Sequence, residues 1–435
     1  MHRKLLIPIL ILLPLIFLTS CYDADEIDDN IHIICLGIDR GVSDKWRLTV
    51  QFATRIEEQG GGGAMSSSSN GDKESNGDSS NDQGGYSFIT VDGPSFFGCI
   101  ELLNTSMAGR ISFMHAHILI FSKDLAESGL IGEFIAPIIR YREIRRNMHV
   151  FVTRGTAMDF IKDNKPYIGT SLSKSMHVLL DEGYDTGFFP IVTLQDFYNG
   201  LKSTYDQPIA TLVDINDFEN FQKHGEVFGT NFHIEGNYYA GDVPRDGGKK
   251  VELLGTAVFD GDKMVGELTG DETRTLLIVT GKYKTGFYTI PDPNQPELII
   301  PLDVKPATKP KVKLTFKDGK AKIKLDIELE GDILAIQSRI QYEKPDLKKV
   351  LEENFENIMK ERIDKLIDKC KDLNADILQF GRHACMQFIT IQEWEDYDWH
   401  GKFKDIEVIS DVSFTIRRSG SQQDSSSIQS SEGRE

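Results

Sequence analysis

The run Leu18-Thr19-Ser20-Cys21 places a thiol directly behind two small hydroxyl residues, where an apolar stretch ends and an acidic one begins. A cysteine sulfur can take up an alkyl group as a thioether, and small neighbours leave the backbone open to a peptidase. Two imidazoles, His115 and His117, stand two residues apart. On one face of a strand such a pair could chelate a metal. No third histidine or carboxylate accompanies them at a recognisable spacing, so the reading is two structural histidines. Residues 270–274, Gly-Asp-Glu-Thr-Arg, set two carboxylates beside an arginine. Paired carboxylates can do acid–base work. The same residues also describe a helix start, with Thr269 as N-cap and Asp271 and Glu272 in the first turn, where the macrodipole favours negative charge. That reading is preferred. No GxSxG, HExxH or Walker pattern occurs, so no catalytic residue, metal site or cofactor is expected.

The five cysteines stand at 21, 35, 99, 370 and 385, and none forms a CxxC pair. Cys35 and Cys370 lie in apolar settings and read as buried free thiols; a disulfide among the last four is left open. Cys21 has a different context. Met1 to Lys4 is a short basic start, and residues 5–18 are apolar apart from Pro8 and Pro14. As a helix that run reaches roughly 21 Å, short of a hydrocarbon core of roughly 30 Å. It reads as a secretory signal peptide. Its end, Leu-Thr-Ser-Cys, resembles the bacterial lipobox. The resemblance implies a diacylglyceryl thioether on Cys21, cleavage after residue 20 and acylation of the new N-terminus, each buried methylene contributing about 0.8 kcal/mol.

The 435-residue chain carries a formal charge of −18, and −20 once Arg3 and Lys4 leave with the leader (−18 − 2). So acidic a chain is a poor binder of nucleic-acid phosphates and is repelled by an anionic membrane surface. The expected anchor is therefore lipid rather than a basic patch.

The elements that must position these groups are legible as periodicities. "IHIICLGIDR" reads as a buried strand; in "WRLTVQFATRI", Trp46, Leu48, Val50 and Phe52 share one face. Residues 60–85 are mostly Gly, Ser, Asn and Asp, expected as a flexible loop between two strands. "SFMHAHILIFS", "MHVFVTRG", "IATLVDI" and "FHIEGNYYA" read as strands, and "TAMDFIKD" as a short helix capped by Thr156. "LLGTAVFDGDKMVGELTG" reads as a hairpin. The proline-rich stretch 288–310 fits a linker or edge strand. "KVKLTFKDGKAKIKLDIELEGDILAI" is an amphipathic hairpin with one wet face. A long helix from Pro345 would cover it through Leu347, Leu351, Phe355, Ile358, Arg362, Leu366 and Cys370. The expected class is α+β: signal peptide 1–20, a mixed α/β domain over 21–199, a strand-rich middle domain over 200–296, a C-terminal domain over 297–419 with a meander-type sheet under the long helix, and a disordered tail over 420–435.

Several blocks together resemble one family. "CYDADEID" with "LGIDRG" looks like its mature N-terminus, with Tyr22 where Trp is usual. "HAHILIFSKDLAESGL", "RYREIRRNMHVFVTRGTA", "LLGTAVFDGDKMVGELTGDETRTLLIVTGK", "ADILQFGRHACMQF" and "FKDIEVISDVSFTIRRSG" resemble its later blocks. The family is the Ger(x)C spore germination lipoproteins, C subunits of nutrient germinant receptors. The resemblance implies three mixed α/β domains in sequence, no catalytic activity, a lipid anchor on the outer face of the spore inner membrane, and integral-membrane partner subunits of the A and B types. The alternative is a substrate-binding lipoprotein of a membrane transporter, which calls for two doubly wound lobes around a cleft.

Overall fold

The computed structural model describes residues 30–54, 85–107, 109–165, 172–222 and 234–419. The leader, Cys21, nearly all of the Gly/Ser stretch and the tail lie outside the described residues.

β1 (Asn30–Arg40) is buried on both faces from Ile33 to Asp39, so it must lie inside a sheet covered on both sides. It pairs antiparallel with β2 (Trp46–Ala53), which pairs with β3 (Tyr86–Gly93). On its other edge it runs parallel to a short β4 (Arg110–Ser112) and to β5 (Ile118–Ser122). β6 (His149–Thr153) and β7 (Ile209–Ile215) continue in parallel, and β8 (Val251–Asp260) and β9 (Lys263–Leu268) close the sheet as an antiparallel hairpin. The order is β3-β2-β1-β5-β6-β7-β8-β9.

Helices α1 (Phe96–Asn104), α2 (Lys123–Glu127), α3 (Ile131–Ile138), α4 (Ala157–Asp163), α5 (Leu172–Thr186) and α6 (Leu194–Lys202) occupy the connections. Alternation sends Leu36 and Ile38 to one core, with Phe134 of α3 and Phe197 of α6. Cys35 goes to the other, with Phe160 and Ile161 of α4. The "LGID" motif serves this packing. A Cβ on Gly37 would lie 2.7 Å from Ile161 Cδ1, so only glycine lets α4 sit this close. Asp39 accepts from the backbone N–H of Ala157 at 2.8 Å and Met158 at 3.1 Å, capping α4 from a distant strand. Asp39→Ala is expected to cost about 1–2 kcal/mol of stability, read from urea denaturation midpoints; an unchanged midpoint would contradict the capping role.

The second sheet has the order β10 (Gly286–Pro291), β11 (Ile299–Pro306), β13 (Lys320–Ile333), β12 (Lys311–Lys317). β14 (Glu407–Arg418) runs parallel to β13 along its other edge. α7 (Gly270–Val279) links the sheets, and α8 (Pro345–Leu373) crosses the second one. α9 (Phe380–Cys385), α10 (Ile391–Tyr397) and α11 (Trp399–Lys402) precede β14.

Four expectations need correction. β7, β8 and β9 do not build a middle sheet over 200–296. β6 and β7 exchange hydrogen bonds in parallel, because Ala210, Leu212 and Val213 are buried to the two sides of one strand that needs covered neighbours. The second sheet is no meander: β14 returns parallel to β13, and a parallel return needs a crossover, which α8 provides. The proline-rich stretch is not all linker or edge, since β11 lies between β10 and β13. The described part of "FHIEGNYYA", residues 234–240, forms turns rather than a strand.

The stripe of α8 is rotated from its expected face. Leu351, Phe355, Met359, Ile363, Leu366, Ile367 and Cys370 are buried. Successive four-residue steps choose Met359 and Ile363 over Ile358 and Arg362, and free Arg362 for an ion pair. Cys35, Cys99, Cys370 and Cys385 are free thiols. No helix among the described residues is long and apolar enough to cross a membrane.

Candidate functional site

The charged cluster at residues 270–274 sits where the two sheets meet. Thr269 accepts from the N–H of Glu272, whose carboxylate accepts from the N–H of Thr269 at 2.8 Å, a complete capping box. α7 is buried along most of its length. A Cβ on Gly270 would stand 2.5 Å from Leu254 Cδ1 and 2.9 Å from the carbonyl of Gly236, so the helix can start here only with glycine.

Each charge of the motif has a tertiary partner. Arg362 Nη1 donates to Asp271 at 2.9 Å, and Lys369 Nζ donates to Glu272 at 2.7 Å, so α7 and α8 are joined by two ion pairs. Burial pushes the Asp271 carboxyl upward, opposed by the charges of Arg362 and Arg274. Arg274 is 2% exposed. Its Nε donates to the carbonyl of Thr186 at 3.0 Å, at the end of α5, and its Nη1 to that of Phe287 on β10 at 2.7 Å. Its guanidinium lies 3.9 Å from the Phe188 ring and 4.6 Å from that of Tyr288, with Glu235 at 3.6 Å. Thr256 and Thr273 share a hydroxyl hydrogen bond of 2.8 Å beneath them.

Chemically this is a clamp. An acid–base pair needs a proton exchangeable with a bound molecule. Here both carboxylates are engaged by cations of α8, and the guanidinium ties a first-sheet connection to a second-sheet strand.

A second junction lies nearby. Asp376 is fully buried and accepts from the N–H groups of Phe380 at 3.1 Å and Gly381 at 2.6 Å and from the Trp399 indole at 2.9 Å. Burial pushes its carboxyl up to about 7 in spite of these donors. Its own carbonyl accepts from the N–H of Gln207 at 3.3 Å. Arg382 Nη2 donates to Asp206 at 2.6 Å, and Trp394 Nε1 to Thr204 at 3.0 Å. Residues 204–207, just before β7, are thus fastened to the "ADILQFGRH" segment. Between them opens a cleft of about 780 Å³, lined by Tyr184, Phe189, Lys202, Asp206, Lys282 and Arg382 among others. Local sequence pattern missed Asp206, whose partner Arg382 is 176 residues away, and Asp376, whose burial depends on Trp399 and the packing around it although Phe380 and Gly381 are near in sequence. The available signal was an aspartate placed in an otherwise apolar block.

The other candidates separate. Cys21 lies outside the described residues. His115 lies in a turn, where Ala116 folds back to donate to the Phe113 carbonyl, whereas His117 directly precedes β5 and its N–H donates to the Ile34 carbonyl at 2.9 Å, so the two do not share a strand face. The His115 ring meets His32 edge-on at 4.7 Å, and burial, then His32 and Arg145, hold its pKa below the ordinary imidazole range. No group of three His, Cys, Asp or Glu among the described residues could hold a metal ion.

Residues 23–215 match the family model of the spore germination protein N-terminal domain. Residues 254–420 match that of the spore germination B3/GerAC-like C-terminal domain. The putative spore germination protein YfkR of Bacillus subtilis (strain 168) is 21% identical over 418 residues, covering 96% of each chain. Spore germination protein B3 of the same organism is 22% identical over 306 residues, 69% of this chain and 73% of that one. A solved structure described as the crystal structure of the GerBC protein superposes with a TM-score of 0.49 at 16% identity, covering 88% of this chain and 96% of that one.

Proposed function

The chain belongs to the Ger(x)C family of spore germination proteins, and from that premise we propose that it is the C subunit of a nutrient germinant receptor. In this reading it is anchored by lipid on Cys21 to the outer face of the spore inner membrane and acts without catalysis. The observation that carries the reading is the pair of family matches over 23–215 and 254–420. The clamped state of the acidic–basic cluster supports a structural rather than catalytic use of the motif. Confinement to the membrane plane raises the effective concentration of the chain at integral-membrane subunits of the A and B types, onto which its surface docks. The transporter alternative calls for doubly wound lobes, and the second sheet is antiparallel except at β13–β14.

Cys21→Ala tests the proposal in spores. The chain is expected to leave the membrane fraction, and germination on nutrients to fall sharply. Full nutrient germination with the chain soluble would overturn the anchored-subunit reading.

A further inference from the structure

Between residues 305 and 324 eight lysines stand against one acid, Asp318, in a chain whose net charge is −18. The register of the β12–β13 hairpin gathers most of them on one surface. Val312, Leu314 and Phe316 turn inward, and Lys311, Lys313 and Lys317 outward. On β13, Ile323 and Leu325 are buried and Lys320, Lys322 and Lys324 exposed. Lys313 faces Lys324 directly across the strands, and Lys317 faces Lys320. Like charges directly opposite are destabilising, so folding alone does not favour this arrangement. Lys311, Lys322 and Lys324 have carboxylate partners in Glu328, Glu407 and Asp326. Among the described residues, Lys313, Lys317 and Lys320 have none within ion-pair distance. Protection of a sheet edge explains lysines on β12. It does not explain those on β13, which is paired on both sides.

A second feature adjoins the tip of this hairpin. In the segment between α9 and α10, Phe388 packs on Phe316 at 5.3 Å between ring centroids, and the Tyr397 hydroxyl donates to the Gly319 carbonyl at 3.3 Å. Both contacts are with the inner face and the turn of the hairpin, so the segment lies at its tip, at the turn that Lys317 and Lys320 flank. The remaining apolar side chains here and at the first residue of α10 point to solvent: Ile389 is 92% exposed, Ile391 76% and Met386 67%.

We propose that the β12–β13 hairpin and residues 386–391 form a docking surface for an anionic lipid bilayer. The lysines meet the headgroups and Ile389, Ile391 and Met386 enter the interfacial layer. Lysine ammonium groups are attracted to an anionic leaflet within a Debye length, and exposed apolar side chains beside a basic face are the combination that seats proteins in the interface. The apolar side chains are individually exposed and line neither cleft of the described structure, which fits a fluid lipid layer better than a shaped protein partner. This surface does not depend on acylation of Cys21, so it goes beyond the function proposed above.

The test uses the full chain carrying Cys21→Ala, co-sedimented at low salt with vesicles of phosphatidylcholine containing about one third phosphatidylglycerol. K313E/K317E/K320E is compared with a charge-matched control, K263E/K349E/K365E, on the same background. Each lysine at the surface contributes on the order of a five-fold affinity, so the first triple variant, which also adds three repelling carboxylates, should bind at least about 100-fold more weakly than the parent, and the control nearly as well as the parent. I389S/I391S, at positions too exposed to matter for folding, should weaken binding about ten-fold or more. Equal losses in the two triple variants, or no loss in either, would overturn the proposal, as would unchanged binding of the isoleucine variant.

Discussion

Arg274→Ala is expected to lower the free energy of unfolding by about 3–5 kcal/mol, the range for removing one partner from a buried charged network. The guanidinium holds three segments to α7: residues 186–188 through the Thr186 carbonyl and the Phe188 ring, β10 through the Phe287 carbonyl and the Tyr288 ring, and Glu235. Truncation leaves two carbonyls without these donors and a space between two aromatic rings. Water cannot readily repair the loss at a side chain only 2% exposed. Arg274→Lys is expected to recover less than half of it, because one ammonium cannot serve two carbonyls in the fixed fork of a guanidinium while lying flat between rings. Urea denaturation of the two variants checks this; a loss below about 1 kcal/mol in the alanine variant, the level of an exposed ion pair, would mean that the junction does not rely on Arg274.

The second large effect is a pH dependence centred on Asp376. Its carboxyl is pushed up to about 7, first by burial and further by the charge of Asp206, against the opposing donors of Gly381, Trp399 and Phe380. In the unfolded chain an aspartate titrates near 3.9. Between those values the folded state holds a proton that the unfolded state has released, so raising pH favours unfolding. The contribution is fully present below about pH 4 and is lost as pH rises through about 7. Its size is on the order of a few kcal/mol. Asp376→Asn cannot titrate. Stability of the native sequence relative to that variant is therefore expected to decline as pH rises across this window, measured from denaturant midpoints at a series of pH values. A difference that stays flat from mildly acidic to mildly alkaline pH would show that Asp376 is already ionised in the fold.

Local pattern carried much of the fold. β1 declared itself by a continuous apolar run, the β12–β13 hairpin by alternation about "KDGK", α8 by three- and four-residue steps, and α7 by Thr269 with two acids behind it. These are signals between residues a few positions apart, set by the geometry of one strand, turn or helix. Failures arose where a long-range contact decided. The boundary drawn at residue 199 falls between β6 and β7, strands joined by hydrogen bonds that no local pattern announces. Three- and four-residue steps count Arg362 in the apolar stripe of α8, yet it ion-pairs with Asp271, 91 residues away. Of the two histidines only His117 adjoins β5, while His115 falls in the turn before it.

Charge divides in the same way. A total of −18 is a property of composition, visible without any fold, and it argues against adhesion to anionic surfaces in general. Where that charge resides is a property of tertiary structure. Strand pairing sets Lys313 against Lys324 and Lys317 against Lys320, and the contacts of Phe388 with Phe316 and of Tyr397 with Gly319 bring exposed apolar side chains to the tip of that hairpin. The sequence by itself determined the elements, their caps and the overall sign of the charge, since these depend on near neighbours or simple sums. Only the folded chain decided that there are two sheets, which residues clamp their junction and that exposed apolar side chains adjoin the tip of the lysine-rich hairpin, because each depends on which distant segments share a hydrogen-bonded edge or a core.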